Sequence, residues 1–363
     1  TVDAAVVGKF VGEEALAAVG GAAGTLINLF VGFFVGLSSG ATVIISQFYG
    51  AKKEKPTEDS VHTAVAMGIA GGLLLTVVGM LLAPTMLRMM DTPDDVLAPA
   101  VTYLRIYFAG MVFNLLYNIG SGILRAISDS RRALYVLIVC TLTNLVLDLL
   151  FVLVFHMGVA GAAIATVISQ IASCAYVLWF LLRGSVLVPI TFGGYDLKII
   201  GRVTAIGMSS FLIILFDNVM LIALNMMLQR YGGAGYGDML LTCNTIVQSF
   251  ELLITMPLGG LTMGTQTILG YNLGARRPDK ILKAQRVIFL TAVVFCGLMF
   301  LAAQLIPHLF ARIFTQDPEY IDMTARLIRI YTLGTIPLAL QYGIVDGFTG
   351  MGMMQYALPL SGF

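Results

Sequence analysis

The stretch SQFYGAKK at residues 46–53 returns in related form as GYNLGARR at residues 270–277. A second pair of segments recurs at the same separation: LRIY at 104–107, followed by Gly110, and IRIY at 328–331, followed by Gly334. Both pairs lie 224 residues apart, since 274 minus 50 and 328 minus 104 both equal 224. Two anchors that keep one separation, here called the repeat offset, predict that the chain is internally duplicated.

The composition indicates that this duplicated chain is a membrane protein. Hydrophobic residues make up 58% of it and charged residues only 11%, whereas a soluble domain carries about 25% charged residues. Mean hydropathy is +0.91. The net charge of +1 gives no reason to expect a nucleic-acid partner, so we expect the lipid bilayer as surroundings. Duplicated helical bundles in a membrane are the usual build of secondary transporters.

Reading from one polar break to the next predicts about ten membrane helices, since a spanning helix needs roughly 20 apolar residues. The predicted spans are 22–49, 61–87, 97–127, 134–155, 159–183, 203–230, 239–271, 284–314 and 322–352. Residues 1–11 are expected to be the outer end of a truncated first helix, and another helix is expected to start after Pro359. We therefore expect a fragment of a longer protein, cut at both ends.

Lys and Arg residues occupy alternate connections, a pattern that orients membrane helices because positive loops stay cytoplasmic. Basic connections at 52–55, 131–132, 183–202 and 276–286 alternate with acidic or short ones. The pattern predicts a multi-pass protein of the cytoplasmic membrane with its amino terminus in the cytoplasm. It also predicts a parallel duplication, with an amino-terminal lobe at 1–183, a cytoplasmic linker at 184–202 and a carboxy-terminal lobe at 203–363 that holds helices 7–10.

The most informative ionisable residues within the spans lie in the first half, since a charge at mid-bilayer costs about 2.5 to 3.5 kcal/mol on insertion scales. Asn144 and Asp148 are four residues apart and share a helix face. Counting from the helix ends at a rise of about 1.5 Å per residue places Asp3 and Thr166 at a similar depth. These four residues are predicted to form one cation or proton site in the outer half of the bundle.

Two ions fit this set of groups, and the sequence does not choose between them. Desolvation favours the neutral form of a carboxyl group, so a buried acid can bind and release a proton near neutral pH. Alternatively, the oxygens of Asp3, Asn144, Asp148 and Thr166 are hard ligands that could hold sodium. In the competing interpretation, Asn144 and Asp148 form only an interhelical hydrogen-bonded pair, worth about 1 kcal/mol or less.

Three further acids, Asp217, Glu251 and Asp346, lie within spans of the second half. We favour a structural interpretation for them, in which each is neutralised by a neighbour or faces a wet cavity. The three histidines are far apart and the four cysteines show no CxxC spacing, so we expect no metal site. No HExxH motif or comparable catalytic constellation is present, so we expect no enzyme and no catalytic residue.

Several segments together resemble the multidrug and toxic compound extrusion (MATE) transporters, in particular their DinF-like branch. They are Val2-Asp3 followed by Gly8 and by EALAAVG at 14–20, the SQFYGA run at 46–51, Asn144 with Asp148, and PLG at 257–259 leading into Gly274-Ala275. The resemblance implies an all-α protein of two six-helix lobes around a central cavity that opens alternately to each side. By position, Asp3 resembles the family's first-helix aspartate, and Asn144, Asp148 and Thr166 resemble its amino-terminal polar cluster.

The function that this resemblance implies is export of organic, often cationic drugs or toxins in exchange for protons or sodium. In the NorM-like branch, carboxylates of the corresponding helices take part in coupling, so Asp217 and Asp346 could resemble them. We expect no cofactor beyond the coupling ion, and a monomer. The alternative is a flippase for lipid-linked oligosaccharide of the same superfamily, for which we expect arginines in the cavity. The basic residues instead follow the membrane surfaces, which favours the drug antiporter.

Overall fold

The computed structural model describes residues 2–90, 92–182, 193–233 and 236–361 of the chain. Throughout these residues the regular structure is helical, with one π-helix, one 3-10 helix and no strand. The predicted all-α fold is therefore confirmed. The chain divides into two units, Thr1–Phe211 and Leu212–Phe363.

Among its described residues, the first unit contains eight complete α-helices and the beginning of a ninth. Their bounds are α1 Val2–Phe10, α2 Glu13–Gly20, α3 Ala22–Gly50, α4 Glu54–Met89, α5 Asp94–Ala109, α6 Met111–Ala126, α7 Ser130–Leu149, α8 Gly158–Leu182 and α9 Leu197–Gly232. A π-helix, Leu150–Val154, continues directly from α7. The first part of α9 packs on α3, where a Cβ at Gly36 would lie 2.6 Å from the carbonyl oxygen of Gly207. Glycine at such a contact lets two backbones approach closely.

The second unit begins within α9 and continues with α10 Tyr236–Gly274, α11 Pro278–Leu305, α12 Pro307–Ala311, α13 Pro318–Tyr331, α14 Thr335–Gly350 and α15 Met354–Ser361. A 3-10 turn, Thr332–Gly334, joins α13 to α14. The predicted linker at 184–202 falls partly on residues 183–192, which lie outside the described residues, so the lobe boundaries stay a prediction.

In the described residues, seven helices are long and apolar enough to cross a membrane, or eight if α5 and α6 count as one broken span. This pair, predicted as a continuous span at 97–127, bends by 50° at its break. Gly110 stands at the bend, where a Cβ would lie 2.7 Å from Val167 of α8. The segment predicted at 322–352 is also broken, into α13 and α14, at Gly334, which repeats Gly110. Each of these two predicted spans is therefore interrupted, at equivalent places in the two copies.

The duplication appears in the structure as helix ends that recur at the repeat offset. Helices α3 and α10 end at Gly50 and Gly274, and α6 and α14 span Met111–Ala126 and Thr335–Gly350. The turns repeat as well, since Lys52 and Arg276 adopt φ values of 56° and 55°, and Ser128 and Gly352 adopt 69° and 75°. The two anchors found in the sequence therefore belong to a repeat in which α3 to α6 correspond to α10 to α14.

Candidate functional site

The first candidate site centres on Asp148, which lies on α7 and is 0% exposed. The π-helix Leu150–Val154 begins two residues later, and such π-bulges occur frequently at functional sites. The ring of Phe151, in the π-helix, stacks on that of Phe155, which directly follows the π-helix, with centroids 5.9 Å apart. A membrane-spanning helix thus carries a fully buried carboxyl group close to the point where the backbone hydrogen bonding of the helix changes from α to π.

Asn144 and Thr166 meet between α7 and α8, as their predicted depths indicated. The Asn144 Nδ2 donates to Thr166 Oγ1 at 3.3 Å, and Thr166 Oγ1 donates to the carbonyl of Ala162 at 3.1 Å. The turn that sets this register contains His156 and Gly158 with φ values of 52° and 57°. Asp148 lies one helical turn beyond Asn144 on the same face.

Asp3 belongs to α1, whose backbone packs against α7, the π-helix and α8. The helix that carries Asp3 is thus adjacent to the helices that carry the other three predicted residues. The Asp3 side chain lies outside the described residues, so its meeting with Asp148 stays a prediction.

The second unit holds a site around Asp346, on α14, that the sequence pattern did not assemble. Asp346 Oδ1 accepts from Gln266 Nε2 at 2.9 Å, and Asp346 Oδ2 accepts a short hydrogen bond from Thr262 Oγ1. Both donors lie on α10, one turn apart, so they donate to the two carboxylate oxygens from one helix face. Charge-assisted bonds of this kind are about twice as strong as neutral ones.

The three acids predicted within spans of the second half, Asp217, Glu251 and Asp346, lie within electrostatic range of one side chain, Tyr342, which precedes Asp346 by one turn on α14. Glu251 of α10 also interacts electrostatically with Tyr331 at the end of α13. Asp217 reaches the group from α9. Sequence reasoning treated these acids separately and favoured, for each, a neutralising neighbour or a position facing a wet cavity. The structure places the three acids around Tyr342, and the spacing of Tyr342 and Asp346 was the signal in the sequence. The two donors to Asp346 and the cavity beside Glu251 are compatible with the structural interpretation, so the role of these acids stays a prediction.

A cavity of about 200 Å³ adjoins Glu251 and Tyr331. Its other walls are mostly apolar, with Met220, Val247, Phe250, Ile254 and Leu338 among them. The carboxylate, the phenol and the hydroxyls of Thr332 and Thr335 supply the polar side chains of this cavity.

The donor atoms of this unit suit some ions better than others. In the described residues, no group of three or more His, Cys, Asp or Glu side chains has the arrangement of a metal site. The oxygens of Asp346, Thr262 and Glu251 are hard donors that suit a monovalent cation or a proton better than a transition metal.

The first unit lacks an acid at the position equivalent to Asp346 by the repeat offset. Gly122 stands there, and a Cβ on it would lie 2.8 Å from Ser38 Oγ and would clash with Thr42 Oγ1. Ser38 Oγ donates instead to the carbonyl of Asn118 at 2.6 Å. The repeat therefore keeps polar residues at both places but a carboxylate only in the second copy.

Comparison with known proteins gives consistent results. The MatE family model matches residues 1–150 and 209–363. The chain is 27% identical over 340 residues to the probable multidrug resistance protein YoeA of Bacillus subtilis (strain 168), covering 89% of this chain and 71% of the relative. It is also 27% identical over 319 residues to the multidrug export protein MepA of Staphylococcus aureus (strain MSSA476), covering 86% and 67%.

Solved structures resemble the fold closely. A structure described as the outward-facing conformation of a multidrug resistance MATE family transporter of the MOP superfamily superposes with a TM-score of 0.91. It is 22% identical and covers 99% of this chain and 80% of that one. At this identity the likeness is evidence for the fold alone. It agrees with the helical, duplicated architecture described above.

Proposed function

The chain belongs to the MatE family, and from that premise we propose that it is a secondary active antiporter that exports organic, often cationic and lipophilic, compounds in exchange for protons or sodium ions. The observation that carries the coupling half of this proposal is the complete burial of Asp148 in a membrane-spanning helix. An intramembrane acid is costly, and such groups are kept mainly for ion or proton pathways. The names of YoeA and MepA support the export half.

In the proposed mechanism, ion occupancy at Asp148 and Asp3 alternates with compound bound to the carrier. A proton or sodium ion neutralises buried carboxylate, which lowers the cost of enclosing it and lets the surrounding helices repack. In this mechanism the repacking begins at the π-helix beside Asp148, since π-bulges inside α-helices are frequent at functional sites. Asn144 and Thr166 orient the site. No catalytic residue and no cofactor beyond the ion is required.

The energy of a single coupling ion is sufficient for a useful gradient. For an uncharged compound, one coupling charge moving down 100 mV supplies about 2.3 kcal/mol, which corresponds to an accumulation ratio of roughly fiftyfold when about 1.4 kcal/mol is a factor of ten. Exchange of one such ion for a singly charged cation moves no net charge, so the concentration gradient of the ion drives that exchange. We assign the carboxylates of the second unit, Asp346 with Glu251 and Asp217, as a second candidate ion site. The protein is proposed to act as a monomer in the cytoplasmic membrane with its amino terminus in the cytoplasm.

The test uses the full natural chain that contains this sequence, reconstituted in liposomes with a fluorescent cationic dye. Efflux is measured under an imposed proton gradient and, separately, under a sodium gradient. We expect efflux to follow one gradient and to lose that dependence in Asp148→Asn, which keeps the shape of the side chain and removes its charge. The control is Asp95→Asn, because Asp95 is an exposed acid at the start of α5.

Two results would count against this function. Gradient-driven efflux that survives Asp148→Asn would remove Asp148 from the coupling mechanism. Absence of dye movement under either gradient, with the protein folded, would favour the flippase for lipid-linked oligosaccharide. That alternative predicts faster flipping of a lipid-linked sugar in the same liposomes.

A further inference from the structure

Helix α11 of the second unit presents one continuous apolar face that the rest of the chain leaves exposed. Its residues recur every three or four positions and are between 53% and 67% exposed: Val287, Leu290, Val294, Leu298 and Leu301. On the opposite face, Gln285 Nε2 donates to the carbonyl of Gly343 at 2.7 Å, and Ala292 and Cys296 are fully buried. The exposed face of a spanning helix of this kind contacts lipid.

A basic cluster, defined as Arg276, Arg277, Lys280, Lys283 and Arg286, lies at the head of this apolar face. All five side chains are exposed, and neither of the two salt bridges found in the described residues involves any of them. Lys283 precedes Val287 by four residues and Lys280 precedes it by seven, so both lie on the exposed face. With Asp279 as the one acid between 276 and 286, the cluster carries five positive charges against one negative.

The first copy of the repeat has the same apolar face without the same charge. On α4, Leu74, Val77 and Leu81 are 63%, 57% and 71% exposed, and the repeat offset aligns them with Leu298, Leu301 and Leu305. At the head of α4, however, Lys52, Lys53 and Lys55 are balanced by Glu54, Glu58 and Asp59. Asp59 occupies the position equivalent to Lys283, and His62 the position equivalent to Arg286. The net positive charge at the start of α11 therefore distinguishes it from α4, whose exposed apolar face is otherwise equivalent.

The head of α4 is also already covered by the chain, at residues 193–196. His62 Nδ1 lies 2.8 Å from the carbonyl oxygen of Gly193, and Asp196 N donates to Thr63 Oγ1 at 3.3 Å. Asp59 lies so close to Gly194 that a Cβ there would clash with its carboxylate. The acidic copy thus packs against the protein itself, whereas the basic copy keeps its side chains outward.

We propose that the basic cluster binds the headgroup of an anionic phospholipid whose acyl chains lie along the exposed face of α11. The phosphate accepts charge-assisted hydrogen bonds from Lys and Arg, and the long side chains reach the headgroup level while their stems cover apolar surface. The general preference of loops for positive charge acts on both copies alike, so it does not explain the inversion between Asp59 and Lys283. The site is separate from the ion sites and does not depend on the transported compound.

The experiment measures lipid retention by native mass spectrometry of the full chain in detergent, with dioleoylphosphatidylglycerol added. Dioleoylphosphatidylcholine, with the same chains and a zwitterionic headgroup, and glycerol 3-phosphate, with no chains, are the matched ligands. The test variant combines Lys280→Gln, Lys283→Gln and Arg286→Gln. Since each charge near an anionic lipid contributes about a fivefold preference, we expect the variant to bind phosphatidylglycerol on the order of a hundredfold more weakly. Binding of phosphatidylcholine should not change.

The control variant combines Lys52→Gln, Lys53→Gln and Lys55→Gln, which removes the same charge from the first copy. It should keep the affinity of the natural chain for phosphatidylglycerol. Equal loss in both variants would overturn the proposal in favour of non-specific surface electrostatics, and equal retention of glycerol 3-phosphate would replace a lipid site with a simple anion site.

A single substitution tests the same proposal if the triple variant fails to fold. Lys283→Asp places the residue type of the first copy at an exposed position. It should reduce phosphatidylglycerol binding more than Lys55→Asp does, while both unfold at the same temperature without lipid. Equal binding by these two variants would also overturn the proposal.

Discussion

Replacing Thr262 by valine tests the hydrogen bonding of Asp346, because valine keeps the shape of threonine and removes its hydroxyl. The Thr262 hydroxyl donates to Asp346 Oδ2, and Gln266 then remains as the donor to Oδ1. A hydrogen bond to a charged group contributes about 1.5 to 3 kcal/mol. For a body of about 150 residues, about 1 kcal/mol shifts Tm by roughly 2 to 4 °C. We therefore expect Thr262→Val to lower the Tm of the second unit by about 3 to 12 °C.

The matched control is Ser38, the residue that the repeat offset aligns with Thr262, whose hydroxyl donates to a neutral backbone carbonyl. Because neutral hydrogen bonds contribute only about 0.5 to 1.5 kcal/mol, Ser38→Ala should cost less than Thr262→Val. Unfolding can be followed with a thiol-reactive dye in a chain that carries Cys140→Ala and Cys174→Ala. The remaining cysteines, Cys243 and Cys296, are buried in the second unit, so they react as that unit opens. Ser38 lies in the first unit, so Ser38→Ala is followed in a chain that carries Cys140→Ala, Cys243→Ala and Cys296→Ala, where the buried Cys174 reports unfolding.

A double-mutant cycle with Asp346→Asn isolates the pair from other effects of the substitution. In the Asp346→Asn background the Thr262 hydroxyl meets a neutral amide, and Thr262→Val should cost about 1 kcal/mol or less. The reasoning is refuted if Thr262→Val costs the same in both backgrounds, or if it costs less than Ser38→Ala. Either result would mean that the hydroxyl does not stabilise a charged Asp346.

Two further predictions concern the duplicated scaffold and are measured by thermal unfolding in detergent. Gly40→Ala should destabilise the first unit by about 1 to 3 kcal/mol, because a Cβ there would clash with the carbonyl oxygen of Val203. The control is Gly201→Ala. A Cβ at Gly201 meets nothing within 4 Å, so this change should stabilise α9 by up to about 1 kcal/mol. Ser128→Gly should stabilise by about 1 kcal/mol, because φ is 69° there, and the reverse change at the equivalent turn, Gly352→Ser, should destabilise by a similar amount. A Gly40→Ala variant as stable as the natural chain would contradict the close packing, and the same result for Gly352→Ser would contradict the equivalence of the two turns.

Much of the fold could be predicted because the repeat anchors and the polar breaks are local features of the sequence. The repeat offset already fixes where α10 ends and where α14 begins. The breaks at Gly110 and at the π-helix after Asp148 could not be predicted, because the apolar runs continue through both. The break at Gly110 accompanies close packing against Val167 on α8, a residue distant in the sequence, and no periodicity encodes that contact.

The two candidate sites differ in how far the sequence reveals them. Asn144 and Thr166 lie on consecutive helices, so counting residues from one connecting turn was sufficient to place them at the same depth. Thr262 and Asp346 are 84 residues apart, on helices separated by three others. Their meeting depends on how α14 packs on α10, which hydrophobic pattern alone leaves open. For this reason the acids of the second half were interpreted singly, although they share Tyr342 as a neighbour.

The comparison of the two copies shows how a duplicated backbone can carry different functional groups at equivalent positions. Helix ends and turn conformations repeat closely, since the backbone must satisfy its hydrogen bonds within each helix whatever the side chains are. This requirement does not constrain the identity of the side chains. In the second copy Asp346 contacts Thr262 and Gln266, whereas the equivalent residue of the first copy, Gly122, lies against Ser38 and Thr42. Gly122 cannot simply become an acid, because hydroxyl groups fill the space that its Cβ would need. An acid at position 122 would therefore need changes on two helices, and the asymmetry is built into the packing of each copy.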